Sequence, residues 1–407
     1  MEQYSYHTLG NGLRIVHACH MAGCGEYCGV VTRVGSRDES PQDYGLAHFI
    51  EHTIFKGTAR RRSWHIINRM EAVGGELNAY TTKEETVVYS SFPAGNAARA
   101  VELIADLLIA SVFPDNELDK EREVVADEIN SYLDSPSEAI YDDFEDIVYK
   151  GTGLGHNILG TVDTLRNFDT LRCREFMDRY YVPGNMVFFY AGPEPMEKVV
   201  RMAERRFGGM SAAAPVAHDV AVPVYDIFNE VRNIGSHQSH VVTGATVPGI
   251  YGDNVYPMAL LTNIIGGPGM NSLLNLALRE RSGLVYTVEA STTLFSDTGL
   301  FTVYYGCDPH DCGRCRRIVH NQLERLAETA LPERRLAAYA RQYIGQLTLS
   351  RDNREQSALS MGRAVMYHGR ALTVPQVAER IMDITPERLR AAAELVAPVR
   401  CSSLTLG

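Results

Sequence analysis

The stretch Gly45-Leu46-Ala47-His48-Phe49-Ile50-Glu51-His52-Thr53-Ile54-Phe55-Lys56-Gly57 decides how the rest of this sequence is read. Its apolar residues recur at helical spacing and Gly57 is a natural C-terminal stop, so a helix is predicted over 45–56. On a helix, residues four apart return to nearly the same face, so His48 and His52 can present their imidazoles to one point. Glu51, three residues after His48, lies on that same side. Two imidazoles beside a carboxylate form a donor set suited to zinc. The ion accepts imidazole nitrogen and acidifies water, and a carboxylate in reach can take the proton released.

A catalytic zinc takes three protein ligands as a rule, so two histidines are not enough. The helical pattern from Asp115 to about Leu133 offers Glu117, Glu121, Glu123, Asp127 and Glu128. Glu121 and Glu128 are two turns apart and share a face. Val124, Val125, Ile129 and Tyr132 give that helix the apolar surface to pack on a core. One carboxylate can then be carried inward as third ligand, with the other behind it. The competing reading is plainer: histidines on an apolar helix as satisfied core residues, and glutamates as a solvated face.

The chain around these helices has 407 residues, which predicts two domains rather than one core. A hydrophobic content of 45% and a charged content of 22% are ordinary for globular chains. The net charge of −11 argues against nucleic acid as the main partner, and no apolar run reaches membrane-spanning length. The polar start lacks the order of a secretory signal, so a cytoplasmic protein is expected. The cysteines fall in two loose clusters, His17 to Cys28 and Cys307 to Cys315, with Cys173 and Cys401 apart. Neither cluster has the two C-x-x-C pairs of a structural zinc site, and buried thiols and turn residues are the reading adopted.

Along the chain, strands are expected over 12–17, 27–34, 76–82, 86–92 and 186–191. Helices are expected over 63–73 with Ser63 as N-cap, 96–112, 115–133, 137–148, 164–180 and 194–207. An alanine- and proline-rich stretch, 211–223, reads as a linker. The order then restarts: strand 240–246, helix 257–265, a glycine-rich break, helix 271–281, strands 285–292 and 300–305, and long helices over 312–329 and 332–349. The expected class is α+β, as two related domains over residues 1–211 and 224–407 joined by 212–223. Each is a mainly antiparallel sheet flanked by helices.

The string from Gly45 to Gly57 closely resembles the inverted-motif (H-x-x-E-H) zinc peptidases, the family of pitrilysin, insulin-degrading enzyme and mitochondrial processing peptidase. Further matches follow in order. Glu128 stands 76 residues after His52, where the family carries its third ligand, and Glu121 falls on its second acidic position. The segment Gly74-Gly75-Glu76-Leu77-Asn78-Ala79-Tyr80-Thr81 resembles the family's active-site edge strand. Val182 to Met186 is similar to the lead into a core strand. Leu278 to Tyr286 is similar to the segment that supplies an Arg and a Tyr, here Arg279 and Tyr286, and Gly266 to Leu273 to the glycine-rich stretch before it.

The resemblance implies one zinc ion per chain on His48, His52 and Glu128, with Glu51 as general base and Glu121 supporting the site. Arg279 and Tyr286 would steady the substrate, and the strand at Asn78, Ala79 and Tyr80 would pair with it. Family members close four such domains like a clam around peptides or unfolded segments. This chain would then form one half of the clamshell, with a second copy, or an inactive homologue, as partner. The alternative is a non-catalytic interaction or assembly subunit of the same fold, which typically lacks the zinc-site residues. A metal-storage or sensor role would instead place metal on Cys307 to Cys315.

Overall fold

The structure, a computed structural model, describes residues 4–20, 25–217 and 226–407. Contacts divide the chain into two units. The first comprises Met1–Ser131, His156–Asp219 and Arg351–Thr373; the second comprises Tyr132–Gly155, Val220–Ser350 and Val374–Gly407. Two sheet-plus-helix domains are therefore present, but each takes a segment from the other half of the chain. Residues 218–223 of the expected linker lie outside the described residues.

The first half contributes β1 (Tyr4–Thr8), β2 (Arg14–Cys19), β3 (Glu26–Thr32), α1 (Leu46–Thr53), α2 (Ser63–Glu71), β4 (Glu76–Thr81) and β5 (Thr86–Phe92). There follow α3 (Ala97–Ala110), α4 (Asp115–Leu133), α5 (Pro136–Val148), α6 (Val162–Leu165), α7 (Thr170–Tyr180), β6 (Met186–Gly192) and α8 (Met196–Phe207). The second half contributes β7 (Asn229–Arg232), β8 (Ser239–Pro248), α9 (Val255–Gly266), β9 (Val285–Leu294), β10 (Thr298–Cys307), α10 (Cys312–Glu328) and α11 (Glu333–Ser350). It closes with α12 (Arg354–His368), α13 (Val374–Met382), α14 (Pro386–Leu395) and β11 (Ser402–Leu406).

The first unit's sheet runs β1-β2-β6-β3-β5-β4. Only β2 and β6 pair in parallel. Val30, Val88 and Phe188 face one side, against α1, α3 and their neighbours. Val31, Val87 and Phe189 face the other, where α12 covers them with Leu359, Met361 and Val365. Covering both faces is why β6 is buried along its whole length and reads as a continuous apolar run. Helix α12 comes close enough that a Cβ on Gly362 would meet Phe189 Cδ1 at 2.8 Å.

The second unit's sheet runs β7-β11-β8-β10-β9, with α9, α10, α11, α13 and α14 contributing to the core on one face. On its other face α5 supplies Ile140, Phe144 and Val148 to a core with Val242 and Leu404.

Several sequence expectations change at the ends of elements. Helix α1 stops at Thr53, and Gly57 is not its cap but pairs with Arg62 in a short bridge. Ser63 is the first residue of α2, whose N-cap is Arg62. The helix expected over 164–180 is two, because Asp169 accepts a bond from Arg172 N and starts α7 afresh. The helix expected over 271–281 reduces to one wide turn, Asn275–Glu280. Strands β1, β7 and β11 were not foreseen; each has five residues or fewer, too short for alternation to register.

Candidate metal centre

Helix α1 begins on a backbone that few residues tolerate. Gly45 has φ +98°, and a Cβ there would meet the Leu159 carbonyl oxygen at 2.5 Å. The first turn's orphan N–H groups are met from outside: Gly45 N and Ala47 N donate to Glu39 at 2.8 and 2.7 Å. Glu39 is itself buried, 3.1 Å from His156 Nε2, and His156 stacks on Tyr44. Burial pushes the Glu39 carboxyl up, against the pull of those two backbone bonds. Leu46, Ala47, Phe49 and Ile50 bury the inner face of α1 and fix its rotation.

That rotation brings His48 and His52 together, with ring centroids 4.5 Å apart. Helix α4 supplies Glu128, whose Oε1 lies 3.8 Å from His48 Nε2 and whose Oε2 lies 3.4 Å from His52 Nε2. Ligand atoms of the three residues all fall within 4.8 Å of one another. Leu118, Val125 and Ile129 anchor α4 in the core, and Glu121, two turns before Glu128, is carried inward with them. His52 Nδ1–H donates to Glu121 Oε1 at 3.0 Å, since a carboxylate only accepts. Lys56, four residues after His52 and beyond the end of α1, holds the other Glu121 oxygen at 2.6 Å.

The charges sort the roles. Burial, aided by His52, lowers His48 to about 3, so its ring stays neutral. At His52 burial pulls the same way, but Glu121, Glu51 and Glu128 outweigh it and the net direction is up. Burial also raises Glu51, with Glu128 adding to it, while His52 and the adjacent Thr81 oppose. Burial pushes Glu121 up too, and its bonds to His52 and Lys56 reverse that into a net lowering.

The donor set fits a divalent ion of zinc's kind. His48 is neutral, and Glu121 occupies the other nitrogen of His52, so both rings can offer a lone pair toward Glu128. Three carboxylates also crowd two imidazoles here, an excess of negative charge that a cation would relieve.

Asn78, Ala79 and Tyr80 lie on β4, the edge of the first sheet, which among the described residues pairs only with β5. Their side chains alternate. Ala79 packs toward the core that contains α1, whereas Tyr80 packs on the α12 side, edge-on to Tyr89. What β4 leaves free is main chain.

Arg279 and Tyr286 belong to the second unit. Arg279 is on the wide turn and lies 4.0 Å from Glu280. Tyr286 is 88% exposed on the edge strand β9. The β9–β10 register slips there: Tyr305 faces Val288 but Cys307 faces Val285, so the extra residue on β9 turns the local side chains.

A second group, Asp308, His310 and Asp311, also comes within ligand distance, at the surface. Of the cysteines near the N-terminus, Cys28 is sealed in the sheet, Cys19 is exposed and Cys24 lies outside the described residues.

Sequence reasoning missed three residues that shape the site. Lys56 had a signal, four residues after His52 on the same face. Thr81 was legible only as the end of β4. Glu39 had none: Ser40 and Asp43 are the more obvious capping residues, and it is the path of the chain between Glu39 and Gly45 that turns Glu39 back onto the helix start.

Comparison with known proteins adds the following. The sequence model described as insulinase (peptidase family M16) matches residues 26–162, and the one described as the peptidase M16 inactive domain matches 168–343. An uncharacterized zinc protease of Streptomyces coelicolor is 32% identical, over 98% of this chain and 88% of that protein. The uncharacterized zinc protease YmxG of Bacillus subtilis is 29% identical, over 95% of this chain and 94% of its own. Among solved structures, a protease from Helicobacter pylori superposes with TM-score 0.90 at 19% identity, covering 100% of this chain and 99% of that one. A peptidase M16 inactive domain from Pseudomonas fluorescens superposes with TM-score 0.91 at 15% identity, over 100% and 98%.

Proposed function

Because this chain belongs to the insulinase family of peptidases (family M16), we propose that it is a zinc-dependent endopeptidase acting on peptides or unfolded protein segments. The observation that carries this reading is the convergence of His48, His52 and Glu128 with Glu51 on the same helix. When bound there, zinc supplies Lewis-acid polarisation of a carbonyl and acidifies water. His48, His52 and Glu128 would hold it. Glu51, raised by burial and so poised nearer neutrality than an ordinary carboxylate, takes the proton of the attacking water and returns it to the departing amine. Glu121 fixes the His52 ring and is in turn held by Lys56.

The free main chain of β4 at Asn78, Ala79 and Tyr80 is proposed to pair with an extended substrate, giving affinity with loose side-chain preference. Arg279 and Tyr286, both substantially exposed, are proposed to steady the substrate's carbonyl oxygen and backbone. The protein is proposed to act in the cytoplasm, in keeping with its seven free cysteines among the described residues. No helix of the described residues is long and apolar enough to cross a membrane.

Two copies are proposed to enclose the substrate, since each chain carries two sheet-plus-helix units. A solution mass of only 45.1 kDa under assay conditions would rule that out.

The test of the chemistry is Glu51→Gln, assayed on a mixed peptide library by mass spectrometry. The variant should retain zinc and fold while losing about 10²- to 10⁴-fold in cleavage rate. Turnover at the wild-type rate would remove Glu51 from its role. An absence of both zinc and cleavage in the wild type would favour an assembly subunit.

A further inference from the structure

Three cysteines meet where β10 ends and α10 begins. Cys307 is the last residue of β10, a short turn over Pro309–Asp311 follows, and Cys312 opens the 17-residue helix α10 with Cys315 one turn on. The Sγ atoms of Cys307 and Cys312 stand 3.4 Å apart, and Cys307 also hydrogen-bonds Cys315. Cys307 and Cys315 are buried, whereas Cys312 is partly exposed. One thiol is thus partly accessible, with a second in van der Waals contact behind it and a third bonded to the second.

We propose that Cys312 is a thiol-modification site for low-molecular-weight disulfides, and that Cys307 resolves the adduct into a Cys307–Cys312 disulfide. This role is independent of peptide hydrolysis. In the first step the Cys312 thiolate attacks one sulfur of the small disulfide; its S–S bond breaks, a Cys312–S–S–R bond forms and one thiol leaves. In the second, Cys307 attacks Cys312 Sγ, the bond to the small thiol breaks and the intramolecular disulfide forms. Two electrons and two thiol protons pass from the protein to the small disulfide, which ends as two thiols.

The sequence makes the test clean. Trypsin cuts after Arg281 and Arg314, so Cys307 and Cys312 share the peptide 282–314 while Cys315 begins the next one. The protein is incubated with oxidised glutathione, quenched in acid, alkylated and digested. In the wild type, peptide 282–314 should lose two hydrogens and take up no alkylating agent. Cys307→Ser should retain one glutathione on Cys312, and Cys312→Ser should do neither.

The proposal fails if both thiols in wild-type 282–314 are still alkylated after oxidation, or if the wild type keeps the glutathione adduct. It also fails if the new bond joins 282–314 to the peptide beginning at Cys315, or if removing metal with a chelator is what exposes the thiols. Cys307 is buried, so its variant is checked by far-ultraviolet circular dichroism. Should that variant not fold, the wild-type digest alone decides.

Discussion

His52 serves two masters at one ring. Its Nδ1 is tied to Glu121 at 3.0 Å, and Lys56 holds that carboxylate from the other side. In metal-free protein this is an ion pair whose pH window follows from its two shifts. His52 is raised, so its contribution is full below the ordinary histidine value of 6.5 and fades as pH climbs through the folded value. Glu121 is lowered, so its contribution is full above the ordinary glutamate value of 4.5 and fades as pH falls through the folded value.

The pair therefore stabilises the chelator-treated protein most between about pH 4.5 and 6.5. Thermal midpoints of wild type and Glu121→Gln should differ most in that window, converge on the acid side, and keep a smaller difference on the alkaline side, where Lys56 alone still pairs with Glu121. A difference that does not vary with pH would show that Glu121 acts through packing alone. At this scale the sequence was informative where spacing on one helix sufficed, as with His48, Glu51 and His52. Choosing Glu128 over its acidic neighbours on α4 needed the family resemblance, because seven carboxylates on one helix look alike until tertiary packing picks a face.

Among the elements, α1 depends on how it starts. Gly45 combines a left-handed backbone with a carbonyl 2.5 Å from where a side chain would begin, so Gly45→Ala meets both conformational strain and a clash with backbone. The expected loss is about 2 kcal/mol or more in chemical denaturation, with weaker zinc retention because the helix that aligns both histidines is displaced. A loss of only a few tenths of a kcal/mol would contradict this. Strong periodic helices such as α3 and α4 were legible at nearly their observed bounds. Their ends were less so, because ends are set by capping groups that the helical periodicity itself does not reveal. Glu39 on α1 and Asp169 on α7 show the two cases, the first invisible in the sequence and the second a local capping signal overridden by a long helical pattern.

Across the whole molecule, the exchange of helices is what linear reading could not show. Helix α5 is an ordinary amphipathic segment and α12 only a weakly amphipathic one, and nothing in their own residues says that each covers the sheet of the unit built mainly from the other half. A consequence follows for dissection. A fragment of residues 1–211 lacks α12 and bares Val31, Val87 and Phe189, while a fragment of 224–407 lacks α5 and bares Val242 and Leu404. Each alone should fail to give a cooperative unfolding transition and should bind an apolar dye. A 1–211 fragment that melts cooperatively would contradict this division.

The central claim is that one divalent ion sits among His48, His52 and Glu128. The most direct measurement is an anomalous difference map recorded just above the zinc absorption edge on crystals of the zinc-loaded protein. The account predicts a single strong peak per chain within bonding distance of those three side chains, lost in the Glu128→Gln, His52→Ala double variant. A map with no peak there, or with its peak at Cys307 to Cys315 instead, would contradict it.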